Sequence, residues 1–114
     1  MKRFDLKTQN RTYKDCSFLI GRYLVDGSLA IMIHNNTDGP ITRLTVCIPD
    51  SELDEDEVAL DTNNCPWAID FIKSHNFGYP TGRTLQSGYC TYPVVYLDIE
   101  ELRSYAQWEG GAER

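Results

Sequence analysis

The sequence lacks the features that would place it in a membrane or direct it out of the cell. No apolar run approaches the ~20 residues that a membrane-spanning helix needs. The N-terminus, MKRFDLKTQN, has no apolar core of the kind that secretory signals carry. We therefore expect a cytoplasmic protein without a membrane partner.

The sequence also lacks the short motifs of several enzyme classes. It contains no Gly-rich loop followed by Lys and Ser or Thr, and no Asp-x-Asp-x-Asp-Gly calcium loop. Cys65 stands near the start of a predicted helix, where the helix dipole would lower the pKa of a thiol. His75 lies about 15 Å further along the same helix, however, which is too far for a Cys–His pair. The sequence predicts a non-enzymatic protein with no catalytic residues.

The four cysteines do not form a CxxC pair. In a cytosolic chain they are expected to be small packed thiols rather than disulfides. A zinc site remains an alternative, because zinc takes Cys and His ligands in tetrahedral sets. Such a site would use Cys47, Cys65, Cys90 and His75. No cofactor is favoured.

Basic residues are missing from one acidic stretch. The 114-residue chain carries a net charge of −6, and seven acids lie within residues 50–61 without a base among them. Like charges at i,i+4 oppose a helix here, so residues 51–58 are predicted to form an exposed loop. The stretch is either a binding surface for a basic protein or a solvated connection. Its acids are Asp50, Glu52, Asp54, Glu55, Asp56, Glu57 and Asp61.

Alternating apolar residues predict strands in the first half of the chain. Residues 2–6 form a short edge strand, and residues 16–25 and 29–34 form a hairpin around Asp26-Gly27. Residues 41–48 are predicted to be a third long strand. Short turns between such strands are typical of an antiparallel arrangement.

Helix signals appear in the second half. Pro66 occupies the first position of a predicted helix that ends at Asn76 and Gly78. Its inward face consists of Trp67, Ala68, Phe71 and Ile72.

Residues 84–88 are expected to be irregular and residues 94–97 to form a strand. Asp98 and Glu101 then have the spacing of a capping box and predict a second helix, which Gly110-Gly111 ends. The inward stripe of this helix is Leu102, Tyr105 and Ala106, and residues 112–114 are expected to fray.

Together these patterns predict one compact α+β domain over residues 1–114. Its sheet is mainly antiparallel with three or four strands, and two helices pack on it. No internal repeat or linker divides the chain.

Three segments in the second half carry a resemblance. The segments DTNNCPW, PTGR and SGYCTYP resemble a family of small uncharacterised bacterial proteins carried on plasmids, conjugative transposons and phages of gut bacteria. The resemblance implies a compact α+β domain and a mobile-element origin. It carries over no catalytic residues.

This origin and the acidic charge lead to a functional expectation. The protein is expected to bind a protein with a basic surface and to inhibit a host nucleic-acid-processing defence enzyme, as anti-CRISPR proteins do. A CRISPR effector nuclease is the first candidate, and its DNA groove would be occupied by the acids of residues 50–61. Direct nucleic-acid binding is not expected from an acidic chain. The alternatives are an accessory protein-binding domain of a conjugative element and a zinc-stabilised structural domain.

Overall fold

The structure is a computed structural model that describes residues 1–113 and is made mainly of β-strands. The two helices have seven and five residues, and no helix in this range is long and apolar enough to cross a membrane. The strands are Phe4–Lys7 (β1), Thr12–Tyr23 (β2), Leu29–Asn35 (β3), Gly39–Arg43 (β4), Thr45–Val46 (β5), Glu57–Leu60 (β6), Gly78–Ser87 (β7), Cys90–Leu97 (β8) and Ala106–Glu113 (β9), and the helices are Ala68–Ser74 (α1) and Ile99–Arg103 (α2).

The strands form two sheets rather than the single sheet predicted. The first has the antiparallel order β1-β2-β3-β4, and β9 pairs with β2 in parallel. Strand β2 pairs with β1 along residues 12–16 and with β9 along residues 18–23, so these two strands share one of its edges. The second sheet has the antiparallel order β5-β6-β8-β7. The prediction of mainly antiparallel pairing is confirmed, but the predicted number of strands is wrong.

Leu44 divides the predicted strand 41–48 between the two sheets. Strand β4 precedes it in the first sheet, and β5 follows it in the second. Its N–H donates to the Ile31 carbonyl at 2.8 Å, and its carbonyl accepts from the Asp61 N–H at 2.9 Å. The backbone of this fully buried residue therefore links both sheets around one core.

Helix α1 contributes one aromatic ring, that of Phe71, to the core. Ala68, Phe71 and Ile72 are buried as predicted, while Trp67 is half-buried. The Phe71 ring lies 5.3 Å from Phe4 and 5.6 Å from Phe77, measured between centroids. The helix begins at Ala68, two residues later than the sequence predicts.

The predicted end of α1 is confirmed at Asn76, whereas Gly78 begins β7 and takes no part in the cap. Asn76 has a positive φ of 57°, a conformation that Asn tolerates better than most residues. The Phe77 N–H then donates to the Ile72 carbonyl at 2.9 Å, as in a Schellman motif. The turn returns Phe77 to the core.

The second helix begins as predicted and ends early. The Asp98 side chain accepts from the Glu101 N–H, which confirms the cap, but the helix stops at Arg103. The predicted helical stripe through Tyr105 and Ala106 is wrong, because residues 106–113 pair with β2 instead. Strand β9 also contains Gly110-Gly111 and the expected frayed residues 112–113, while Arg114 lies outside the described residues.

Two strands were missed in the second sheet. Residues 57–60 belong to β6 although residues 51–58 were predicted to be a loop, because Val58, Ala59 and Leu60 are buried and pair with neighbouring strands. Residues 84–87 were expected to be irregular. They belong to β7 because they pair with β8 through a tight hairpin.

Removing the Phe71 ring tests the packing of α1. We expect Phe71→Ala to lower the free energy of unfolding by about 3–5 kcal/mol, because it opens a cavity among aromatic rings. Tyr89→Ala, at a fully exposed site, serves as the control and should change it little. Chemical denaturation measures both variants, and equal small effects would contradict the packing described.

Candidate protein-binding surface

The Pro80-Thr81-Gly82-Arg83 segment forms a bulge in β7. The register of β7 against β8 shifts here, and Gly82 has a φ of 89° that favours glycine. The Thr81 hydroxyl donates to the Val94 carbonyl at 2.9 Å and accepts from the Arg83 N–H at 3.2 Å. The bulge thereby fixes the direction in which Arg83 leaves the strand.

Arg83 holds the acidic segment through Glu57. Its Nη1 donates to Glu57 Oε1 at 2.9 Å, and its Nη2 donates to the Glu52 carbonyl at 2.9 Å. The same Glu57 oxygen accepts from the Asp54 N–H at 3.0 Å. Because the Glu57 side chain is only 11% exposed and binds Arg83, it does not form part of a free acidic surface.

Asp61 also has a local structural role. Its carboxylate accepts from the Asn64 backbone N–H at 3.3 Å and from the Asn64 side-chain amide at 2.9 Å. Its carbonyl accepts from the Cys65 N–H at 2.8 Å. Asp61 therefore shapes the turn that leads into α1.

The other acids of the segment stay at the surface and meet acids from elsewhere. Asp50, Glu52, Asp54 and Glu55 are exposed, and Asp56 is half-exposed. Three of these residues line two adjoining depressions of about 220 and 430 Å³, which share Arg22 and Glu55. The carboxylates along them, named the acidic face from here on, belong to Asp26, Asp54, Glu55, Asp56, Asp98 and Glu100.

Hydrogen bonds fix two carboxylates of the acidic face. Asp26 accepts from the Ser28 N–H at 2.9 Å and from its hydroxyl at 2.6 Å. Partial burial acts to raise the pKa of Asp26, but these hydrogen bonds outweigh it, so the pKa lies below its usual value. Asp98 accepts from the Glu101 N–H at 3.2 Å. Both groups are therefore held in place at the start of a turn or helix.

Two arginines lie among these carboxylates. Arg22 and Arg103 line the depressions, and Arg22 Nη1 donates to the Gly27 carbonyl at 3.0 Å. Six carboxylates against two guanidinium groups leave an excess of negative charge. Sequence reasoning missed Asp26, Asp98 and Glu100, because their positions along the chain do not show that they lie beside residues 54–56.

The four residues of the alternative zinc site do not form one cluster. The His75 ring stacks on Phe77 at 5.3 Å, with its Nδ1 3.0 Å from the Phe71 carbonyl. Cys65 Sγ lies 3.3 Å from the Thr42 hydroxyl, while Cys47 lies near Asp26. Within residues 1–113, no three His, Cys, Asp or Glu side chains are grouped to hold a metal ion. The structure thus does not bring Cys47, Cys65, Cys90 and His75 together.

The buried thiols are held in their protonated form. Burial raises the pKa of Cys16 to about 11 and also raises the pKa of Cys65. The sequence suggested that the start of α1 would lower the pKa of Cys65, but burial has the opposite effect. Neither thiol has the thiolate character that a nucleophile needs.

A separate groove of about 560 Å³ lies between the end of β1 and α1. Trp67, Phe71 and His75 contribute aromatic surface, and Asp5 and Asp70 are among its other lining residues. It shares no lining residue with the depressions of the acidic face. Trp67 lines this groove, so one side of its ring faces the groove instead of the core.

Comparison with protein families places most of the chain in a family. Residues 17–110 match a domain of unknown function, DUF4313. The chain belongs to the DUF4313 family. No curated protein and no solved structure is similar enough to count as a match. The resemblance to an uncharacterised family is confirmed at this level, while an origin on mobile elements or phages stays a prediction.

Thiol labelling tests the cysteine environments of this DUF4313 protein. At pH 8 a thiol-specific reagent should label the half-exposed Cys90 first and Cys47 more slowly, because the pKa of Cys47 is raised by burial and by Asp26. Cys16 and Cys65 should react only on unfolding, since both are buried and protonated.

A Cys90→Ser variant should lose the fast phase and keep the slow one, as followed by absorbance of the released dye. Rapid labelling of Cys16 or Cys65 in the folded protein would contradict these assignments.

Proposed function

We propose that this protein is a non-enzymatic binding protein that recognises a basic surface of another protein through its acidic face. One observation carries the proposal: carboxylates from three separate parts of the chain line adjoining depressions. Opposite charge across an interface steers association and selects the partner. Carboxylates that are already fixed, as in Asp26 and Asp98, lose less freedom on binding.

The proposed partner is a host enzyme that processes nucleic acid, with a CRISPR effector nuclease as the first candidate. Such enzymes hold DNA phosphates in a basic groove. The carboxylates of the acidic face, two of them fixed by hydrogen bonds, present similar charge and would occupy that groove in place of DNA. Inhibition would then need no catalytic residue, only binding at one-to-one ratio.

Charge neutralisation at the acidic face tests this function. The test variant carries Asp54→Asn, Glu55→Gln and Asp56→Asn and retains Glu57, whose charge is needed by Arg83. The control carries Asp15→Asn, Asp50→Asn and Glu52→Gln, which removes the same charge from sites that do not line the two depressions. Asp15 and Asp50 have positive φ values of 54° and 64°, which Asn tolerates well.

The readout is DNA cleavage by a purified CRISPR effector nuclease across a salt series. The wild type and the control should inhibit equally, and the test variant should inhibit on the order of tenfold less at low salt. This difference should shrink as salt rises, because screening weakens steering. Equal inhibition by both variants would exclude the acidic face as the binding surface. Absence of inhibition by the wild type would overturn the assignment to this nuclease.

A further inference from the structure

Strands β7 and β8 extend beyond the second sheet as a two-stranded arm. Strand β6 pairs with β8 only along residues 94–96, so residues 90–93 pair with β7 alone within the described chain. We name residues 84–93 the distal arm. Tyr89 at its tip is fully exposed. A ribbon of only two strands has little stability of its own.

The distal arm has an edge without the usual protection. Charged residues, prolines and bulges normally prevent edge strands from pairing with other chains. Residues 84–97 contain no charged residue, in a chain of which 25% is charged. Pro80 and the bulge protect the base of β7, and Pro93 protects the β8 side. Residues 84–87 of β7 have no such protection.

The hairpin turn determines which backbone groups point to this edge. Gly88 and Tyr89 form a two-residue turn, and Gly88 has a φ of 60°. In such a hairpin the flanking Ser87 and Cys90 exchange hydrogen bonds, and bonded and non-bonded pairs alternate beyond them. Thr84 and Gln86 therefore direct their N–H and carbonyl groups away from β8. The pairing of Thr84 with Pro93, which has no N–H to donate, agrees with this alternation.

We propose that this edge pairs with the same edge of a second copy of the chain. In an antiparallel pair with a two-fold axis at Leu85, Thr84 of each copy lies opposite Gln86 of the other. Both residues direct their backbone groups outward, so the two pairs can form four hydrogen bonds. Leu85 then lies opposite Leu85 of the second copy, and the half-buried side chains cover one another. The edge is thus self-complementary, as a two-fold interface requires.

Charge also favours a second copy at this position. Each chain carries a net charge of −6, so the overall electrostatic interaction between two copies is repulsive. The uncharged distal arm is where they can approach with little repulsion. It offers no charged group to select a basic partner, so this pairing is independent of the acidic face. Because four hydrogen bonds cover a small area, the dimer should be weak and concentration-dependent.

Disulfide trapping tests both the pairing and its register. In a Cys47→Ser, Cys90→Ser background, Leu85→Cys would place two thiols opposite each other, at a Cα separation of about 4.5 Å that a disulfide can span. Thr84→Cys is the matched control, one residue away on the same edge. Its two copies would lie diagonally, about 7–8 Å apart, where a disulfide forms poorly.

Under mild oxidation, Leu85→Cys should form a covalent dimer at least about tenfold faster than Thr84→Cys. Adding Gln86→Pro should remove this advantage, since it deletes an outward N–H without taking a bond from β8. Circular dichroism would verify that the chains with three substitutions, and the chain with Gln86→Pro as a fourth, remain folded. Equal cross-linking rates for Leu85→Cys and Thr84→Cys would overturn the proposal, as would an unchanged rate with Gln86→Pro. Either result would favour a strand of a different protein as the pairing partner of this edge.

Discussion

The contact between Arg83 and Glu57 organises the acidic half of the second sheet. A carboxylate that is 11% exposed is costly to bury unless cations or N–H groups compensate its charge. Arg83 and the Asp54 N–H both donate to it. With that charge compensated, residues 57–60 can pair as β6, and residues 54–56 are held at the surface beside Asp98. An acidic stretch whose charges repel one another is thereby divided between strand β6 and the proposed binding surface.

The bulge in β7 positions both Arg83 and the distal arm. It aims Arg83 towards β6, and the distal arm begins immediately after it. The bulge also protects the edge near Pro80, so that the unprotected edge starts only at Thr84. The Pro80-Thr81-Gly82-Arg83 motif is therefore explained by its geometry: it holds the acidic segment and sets where the distal arm begins.

Local signals in the sequence predicted local structure well. Asn76 ends α1, Asp98 caps α2, and Gly27 adopts a positive φ in the turn between β2 and β3. These features depend on side chains within a few residues of the backbone groups they satisfy. The prediction failed where distant segments decide the outcome. The division at Leu44 depends on hydrogen bonds to Ile31 and Asp61, and the replacement of a longer α2 by β9 depends on pairing with β2.

The same distinction applies to the candidate site. The sequence identified seven acids as one surface, but the carboxylates of Glu57 and Asp61 bind other groups of the same chain. Asp26 and Glu100 join residues 54–56 only because the chain returns to the same place. Charge composition can predict that an acidic surface exists. Only the fold determines which carboxylates remain available to a partner.

A double-mutant cycle on Arg83 and Glu57 tests the central claim most directly. The free energy of unfolding would be measured for the wild type, Arg83→Met, Glu57→Gln and the double variant. A charge-assisted contact between the half-exposed Arg83 and a Glu57 side chain that is only 11% exposed predicts a coupling energy of about 1 kcal/mol or more. The exposed Arg11–Asp38 pair, at 3.5 Å, provides the control and should couple by less than about 0.5 kcal/mol. A coupling between Arg83 and Glu57 no larger than that of the control would contradict the account.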